Sequence, residues 1–213
     1  MKTIYLVRHG ESEINVSETY MDDAPPPLTE VGKEQSQFIA KRAKNIVFDA
    51  LIASPFERTK ETAQMIAKET GHEIEYCDLF IERTLTKSLI GKSRSDPESK
   101  ARAELAWRSS QESGREKVEG TETFEEIKGR AIKALKFLEA RPEENIMLVG
   151  HGFFTRALIG CMLYGEGMTT EAFAPFVWGL RTTNTGISVL KYNPTDAHRA
   201  WWLLAWNDHA HLG

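Results

Sequence analysis

Short apolar runs alternate with longer amphipathic segments along most of this chain. Residues 3–7, 50–53 and 146–149 are apolar enough to form buried strands. Residues 29–45 and 59–71 carry apolar side chains at helical spacing. Buried strands that alternate with amphipathic helices are typical of α/β proteins. We therefore predict a three-layer α/β/α sandwich with a mainly parallel central sheet.

Signals at the ends of these segments support the predicted helices. Thr29 is suited to cap the helix that follows it, and Gly71 to end the next helix. Thr123-Phe124-Glu125-Glu126 has the pattern of a capping box and opens an amphipathic helix that ends before Pro142. Four further elements are predicted. They are a third strand at residues 74–77, a helix at 153–164 after the strand at 146–149, and two late strands near the sheet edge at 186–192 and 200–205.

The alternation is interrupted from Glu82 to Gly120. The first part of this segment is basic, with six Lys and Arg residues against two acidic residues between Arg83 and Arg102. Asp96-Pro97-Glu98 predicts the start of a helix that runs to about Ser110. Two interpretations are open, a solvated surface insertion and a cap over an anionic site. We expect a single domain over residues 1–213, with a cap insertion at about 83–120.

Composition narrows the classes of function. A chain of 213 residues fits one domain that buries roughly 70% of its unfolded surface. The net charge of −4 argues against nucleic-acid binding. No apolar run of about eighteen residues is present to cross a membrane, and the N-terminal segment lacks the apolar core of a signal peptide. Cys77 and Cys161 are too few for a disulfide framework or a zinc site. We expect a cytoplasmic protein that binds neither nucleic acid nor a membrane.

Two predicted strands end in a histidine flanked by glycine, in the sequences Val7-Arg8-His9-Gly10 and Val149-Gly150-His151-Gly152. Because the carboxyl ends of parallel strands lie at one edge of a sheet, we expect His9 and His151 to converge there. Arg58 and Glu82 follow the second and third predicted strands. An imidazole can act as a base, a metal ligand or a nucleophile, and a neighbouring guanidinium favours phosphate or carboxylate.

These residues occur within longer motifs that resemble one known family, the histidine phosphatase superfamily, also called phosphoglycerate mutase-like. The resemblance covers nearly the whole chain in the right order. It is carried by residues 6–12, Asn15, Ser54-Pro55, Arg58-Thr59, Glu61-Thr62-Ala63 and Gly150-His151-Gly152.

The resemblance implies a site chemistry that agrees with the residue types. His9 would accept the phosphoryl group as a phosphohistidine, and Glu82 would protonate the leaving oxygen. Fixed cations would stabilise the transferred group, so the resemblance implies no metal and no cofactor. The residues implied to surround the phosphate of a small phosphorylated substrate are Arg8, Asn15, Arg58, His151 and Gly152.

The family contains phosphatases and mutases, and the sequence favours a phosphatase. Residues 17–23 and the prolines after them depart from the aromatic- and glycine-containing segment of cofactor-dependent mutases. The ending, residues 206–212, is similar to the phosphatase branch, although the segment from Arg83 has faint mutase-like features. The alternatives are a cofactor-dependent phosphoglycerate mutase and a catalytically silent module that binds a phosphorylated ligand.

Two features near the C-terminal end are open to more than one interpretation. His209 and His211 have metal-like spacing, but without further ligands we interpret them as part of a solvated tail. The aromatic pair Trp201-Trp202 fits either the core or a homodimer interface, and the sequence leaves the oligomeric state open.

Overall fold

A central sheet of six strands organises the computed structural model, which describes residues 1–22, 26–84, 86–114 and 117–213. The strands are β1 (Lys2–Arg8), β2 (Ala50–Ala53), β3 (Ile74–Tyr76), β4 (Asn145–Gly150), β5 (Ile187–Tyr192) and β6 (Trp201–Asp208). Their order across the sheet is β3-β2-β4-β1-β5-β6. The first four strands are mutually parallel, whereas β5 and β6 are antiparallel to their neighbours. The predicted α/β class with a mainly parallel sheet is confirmed.

Seven α-helices accompany the sheet in the part of the chain that the structure describes. They are α1 (Glu13–Val16), α2 (Glu30–Ala43), α3 (Glu57–Thr70), α4 (Pro97–Ser109), α5 (Phe124–Ala140), α6 (Gly152–Tyr164) and α7 (Thr170–Gly179). Thr29 caps α2 by accepting the Gly32 amide, and Gly71 ends α3 in the left-handed region at φ 79°. The predicted capping box opens α5. None of the described helices is long and apolar enough to cross a membrane.

The core has two parts, one on each face of the sheet. Alternate residues of β4 point to opposite faces, as the pleat requires. Ile146 and Leu148 pack on the side of α5, α6 and α7, whereas Met147 and Val149 pack on the side of α2 and α3. Two buried faces explain why these central strands are apolar without alternation.

The register of the parallel strands brings their carboxyl ends level with one another. Arg8 of β1 pairs with Gly150 of β4, and Ala53 of β2 pairs with Val149. The residues that follow these three strands therefore meet at one edge, as expected from the sequence.

Six positions fall outside the described residues, and several belong to segments singled out in the sequence. Asp23 and Pro25 belong to the segment that departs from the mutase pattern. Leu85, Arg115 and Glu116 belong to the expected cap insertion, in which the described part contains a short 3-10 turn (Lys87–Leu89) and α4.

Candidate active site

A cavity of about 310 Å³ opens at the edge of the sheet where β1, β2 and β4 end. Its lining consists of Arg8, His9, Ile14, Asn15, Arg58, Glu82, Arg83, Trp107, Gly152, Phe153, Arg156, Arg181 and Thr182. Six of the seven residues predicted from the sequence are therefore brought together here. The seventh, His151, lies beside His9 without being part of this lining.

The hydrogen bonds of His9 fix which ring nitrogen carries a lone pair. Its Nδ1 lies 2.6 Å from the carbonyl oxygen of Gly10, which can only accept, so Nδ1 carries the proton. Its Nε2 then accepts the Nε–H of Arg58 at 3.3 Å. His9 and Arg58 are 3% and 2% exposed, so this pair is shielded from bulk water. The neutral imidazole consequently presents Nε2 as a nucleophilic atom next to a guanidinium.

The surroundings of His9 keep its imidazole neutral. Burial lowers its pKa well below the usual value, and the charges of Arg58 and Arg8 lower the pKa further. The hydrogen bond to the Gly10 carbonyl acts in the opposite direction but is the smallest of these effects. An unprotonated His9 is the form that can attack an electrophile.

His151 lies beside His9. The two ring centroids are 5.3 Å apart in an edge-to-face arrangement, and His151 is 1% exposed. Its Nε2 forms a 2.8 Å hydrogen bond with the hydroxyl of Ser54, whereas its Nδ1 has no partner among the described residues. Burial and then the charge of Arg58 lower the pKa of His151 well below its usual value.

Arg8 lines the cavity with one nitrogen left available. Its Nη1 donates to the carbonyl of Thr182 at 2.6 Å, but its buried Nε has no partner among the described residues. A buried N–H without an acceptor is unfavourable, so an anion that enters the cavity would supply the missing partner. Gly152 makes this arrangement possible because a Cβ there would lie 2.7 Å from Thr182 Oγ1 and 3.4 Å from Arg8 Nε.

Glu82 faces the first turn of α6. Its Oε2 accepts the amide of Phe153 at 3.1 Å, and its Oε1 accepts the amides of Phe154 at 2.9 Å and Arg83 at 3.0 Å. These amides belong partly to a helix N-terminus, which attracts negative charge. The carboxyl group is thus fixed in the cavity wall, and its charge acts on Arg8 and Arg156.

Asn15 closes the cavity from the α1 side. Its Oδ1 accepts from the backbone amide and the hydroxyl of Ser12, the N-cap of α1, at 3.1 Å each. This reciprocal capping box fixes the side chain at the cavity mouth.

Seven lining residues were not predicted as site residues, and they include the polar Arg156, Arg181 and Thr182; Asn184, which lies beside them, was not predicted either. Arg156 lies on α6, and the other three precede β5. The amide of Asn184 donates to the carbonyl of His9 at 2.9 Å, so it supports the backbone that carries the imidazole. Since β5 is antiparallel to β1, its amino end lies at the edge where β1 and β4 end. The polar run 181–186 before an apolar strand is the signal that could have identified them.

The C-terminal segment is attached to this region, so the interpretation of His211 as solvated is wrong. Its Nδ1 accepts from Arg42 at 3.2 Å, and its Nε2–H donates to the hydroxyl of Thr185 at 3.0 Å. Burial and the charge of Arg42 lower the pKa of His211 to about 4, which keeps the ring neutral. Thr185 has a φ of 60°, a strained conformation for a β-branched residue, and this contact helps to hold it beside Asn184.

The basic segment from Arg83 to Arg102 does not form a cap of cations over the cavity. Of its six cations, Arg83 lines the cavity, whereas the other five lie outside the lining. Of the two interpretations, a solvated surface insertion therefore fits most of this segment. The site's remaining positive charge comes from β1, α3, α6 and the approach to β5.

A buried neutral imidazole and five arginines at the carboxyl edge of a parallel sheet define an α/β protein with an anion-binding candidate active site. The chain belongs to the histidine phosphatase superfamily (branch 1), whose family model matches residues 4–209. A protein named as a probable mutase is similar to this chain in sequence, and proteins named as phosphatases are similar to it in structure.

Relatives in sequence and in structure bear different names. A protein of Photorhabdus laumondii named "Probable phosphoglycerate mutase GpmB" is 30% identical over 210 residues, which cover 97% of this chain and 90% of the relative. A putative alpha-ribazole-5'-P phosphatase from Escherichia coli is similar in structure, with a TM-score of 0.78, 22% identity and coverage of 98% and 97% of the two chains.

A second similar structure is a phosphoserine phosphatase mutant from Entamoeba histolytica in complex with phosphoserine. It has a TM-score of 0.74 at 22% identity and covers 100% of both chains. At this identity, the likeness to the two solved structures shows the fold.

Proposed function

We propose that this protein is a phosphomonoester hydrolase that acts through a phosphohistidine at Nε2 of His9. The observation that carries the proposal is the hydrogen-bond pattern of His9, in which Nδ1–H is held by the Gly10 carbonyl and Nε2 faces Arg58. A metal ligand or a general base would not need the adjacent guanidinium, whereas a nucleophile toward phosphate benefits from it.

The proposed reaction has two steps. In the first, the Nε2 lone pair forms a bond to phosphorus while the bond from phosphorus to the alcohol oxygen breaks, and Glu82, which must enter this step in its protonated form, gives its proton to that oxygen. In the second, water attacks phosphorus, the P–N electron pair returns to Nε2, and Glu82 accepts the proton of the water. The products are the alcohol and inorganic phosphate, and the enzyme returns to its starting state.

Fixed cations supply the stabilisation of charge in this proposal. The unpartnered Nε of Arg8 and the guanidinium of Arg58 would bind phosphate oxygens, and Asn15 would add a hydrogen bond from the cavity mouth. His151 would complete the phosphate site through its unpartnered Nδ1 beside His9. The positive charge is preorganised, so the reaction would require no metal ion.

The test is phosphate release from a panel of sugar phosphates, phosphoglycerates, nucleotides and phosphopeptides in the presence of EDTA. His9→Ala should lower turnover of any active compound by at least about a thousandfold, because the covalent step is lost. His198→Ala removes an exposed histidine and should leave turnover unchanged. Acid-labile phosphate on the wild-type protein should disappear in His9→Ala. Full activity in His9→Ala would contradict the mechanism.

A phosphoglycerate mutase is the second candidate, favoured by the name of the relative from Photorhabdus laumondii. A mutase returns the phosphoryl group to a phosphoglycerate when a bisphosphoglycerate primer is supplied, whereas a phosphatase transfers it to water. Exchange between the two monophosphoglycerates without phosphate release would favour the mutase. The absence of both reactions, with phosphorylated ligands still bound, would favour a silent binding module.

A further inference from the structure

The cavity contains more positive charge than one phosphate group can balance. Five arginines line it, and among the described residues Glu82 is the one carboxylate in the lining. A phosphomonoester carries a charge of about −1.5 to −2 near neutral pH. With Arg8 and Arg58 assigned to the phosphate, three arginines face the rest of the substrate: Arg83, Arg156 and Arg181.

Two of these three guanidinium groups are held in place. Arg83 stacks on Trp107, with its Cζ 3.8 Å from the ring centroid, and its Nη1 donates to Ser110 at 3.0 Å. Arg156 donates from Nη1 to the carbonyls of Val177 and Leu180 at the end of α7. Fixed cations of this kind lose little conformational entropy when they bind an anion.

The surroundings of Arg181 differ from those of Arg83 and Arg156. It follows Leu180 directly, is exposed at the cavity mouth, and makes no hydrogen bond or ion pair within the part of the chain that the structure describes. Its charge acts unfavourably on Arg156. Two cations close together are destabilising unless an anion lies between them.

We propose that Arg181 and Arg156 bind a second anionic group of the substrate, a carboxylate or a second phosphate on the alcohol that leaves. The inference rests on the proposed function, since it assigns Arg8 and Arg58 to the reacting phosphate. The substrate is thus a small compound with two anionic groups, and Arg83 lines the same cavity. A neutral sugar phosphate or a bulky apolar ester would leave these three cations unbalanced.

Matched substrate pairs test this inference. 3-Phosphoglycerate and glycerol 3-phosphate differ by a carboxylate in place of a hydroxymethyl group. The bisphosphate and monophosphate of 1,3-propanediol differ by a second phosphate. We expect kcat/KM to favour the doubly anionic member of at least one pair by about ten- to a hundredfold, the range for hydrogen bonds to charged groups. The pair with the larger ratio identifies the second anion.

Arg181→Gln should bring that ratio close to one by acting mainly on the doubly anionic compound. Arg102→Gln removes an arginine of α4 outside the cavity lining and should preserve the ratio. Equal kcat/KM for both members of both pairs, or an equal loss for both in Arg181→Gln, would overturn the inference while leaving the hydrolase intact.

Calorimetric measurement of ligand affinity in the His9→Ala variant tests the second anionic site without any turnover. Tighter binding of 3-phosphoglycerate than of glycerol 3-phosphate, or of the bisphosphate than of the monophosphate, is expected to require Arg181. If no compound is hydrolysed, the proposed function fails, and the binding ratio alone supports or overturns the second anionic site.

Discussion

Glu82 is the site residue whose role is least determined by position alone. Both of its oxygens accept backbone amides, from Phe153 and Phe154, at the start of α6. A carboxylate in that place stabilises a helix N-terminus even without any role in chemistry. A proton donor to the leaving oxygen and a helix-stabilising carboxylate therefore make different predictions, which the leaving group of the substrate can separate.

We expect Glu82→Gln to slow the release of a poor leaving group far more than that of a good one. An alkyl alcohol must be protonated as it departs, so its phosphate ester should lose about 10² to 10⁴ in kcat/KM. 4-Nitrophenolate leaves without a proton, so the loss with its phosphate ester should be small. The measurement is the ratio of the two kcat/KM values in wild type and variant.

The variant keeps an amide oxygen that can still accept one of the backbone amides. Glu57→Gln, on the partly exposed start of α3, serves as the control and should leave both values unchanged. An equal loss with both leaving groups would assign Glu82 to the support of α6 rather than to proton transfer.

The sequence pattern predicts those candidate site residues that follow the carboxyl ends of parallel strands. His9, His151 and Arg58 could be predicted because the ends of β1, β4 and β2 are apolar runs that stop at polar residues. The carboxyl ends of parallel strands do not lead to Asn184 and Arg181, which precede the antiparallel β5 and whose signal is instead a polar run before an apolar strand. The sequence does not state the direction of a strand, and that direction decides which of its ends reaches the site.

At the scale of elements, two glycines bring the loop after β1 into backbone contact with α2. A Cβ on Gly10 would lie 2.4 Å from the carbonyl oxygen of Gly32, and a Cβ on Gly32 would lie 1.8 Å from that of Glu11. Both neighbours are backbone atoms, which cannot rotate away. The loop that carries His9 is thus positioned by its contact with a helix on the other side of the turn.

Gly32→Ala should destabilise the protein by about 3 kcal/mol, because α2 and the loop must separate to admit the methyl group. Gly129→Ala is the matched control, since Gly129 also lies inside a helix, α5, and a methyl group there would meet nothing within 4 Å beyond the backbone of its own helix. It should stabilise by about 0.5–1 kcal/mol through helix propensity. Urea unfolding of the three proteins measures both values. Similar changes in the free energy of unfolding of the two variants would show that the close contact at Gly32 does not hold α2 and the loop together.

Helix α7 shows where element prediction failed. Its N-cap Thr169 accepts the amide of Ala172, but Pro175 inside the helix removes a backbone donor, so the local signals conflict. Tertiary contacts stabilise it. Phe173 and Val177 are buried in the core, and Arg156 binds the carbonyls at its end. The capped, amphipathic helices α2 and α5 were predictable because their signals are local.

At the scale of the whole molecule, three imidazoles are neutral because they are partly or fully buried. His9, His151 and His211 all have a lowered pKa in the folded protein, chiefly through burial. In the unfolded chain each would titrate near pH ~6.5. Between these values the unfolded chain binds protons that the folded protein does not, so stability must fall as the pH decreases below about 6.5.

We therefore expect the free energy of unfolding to be nearly flat from about pH 8 to 7 and to fall between about pH 6.5 and 5. Each fully neutral imidazole contributes a slope of about 1.4 kcal/mol per pH unit. Asp208, with a pKa lowered to about 2, and other carboxylates add to the loss only at lower pH.

His151→Gln should remove one of the three imidazole contributions and reduce the slope by about 1.4 kcal/mol per pH unit. Urea titrations without phosphate measure these slopes, and a stability that stays constant down to about pH 5 would mean that the folded protein admits protons to these rings.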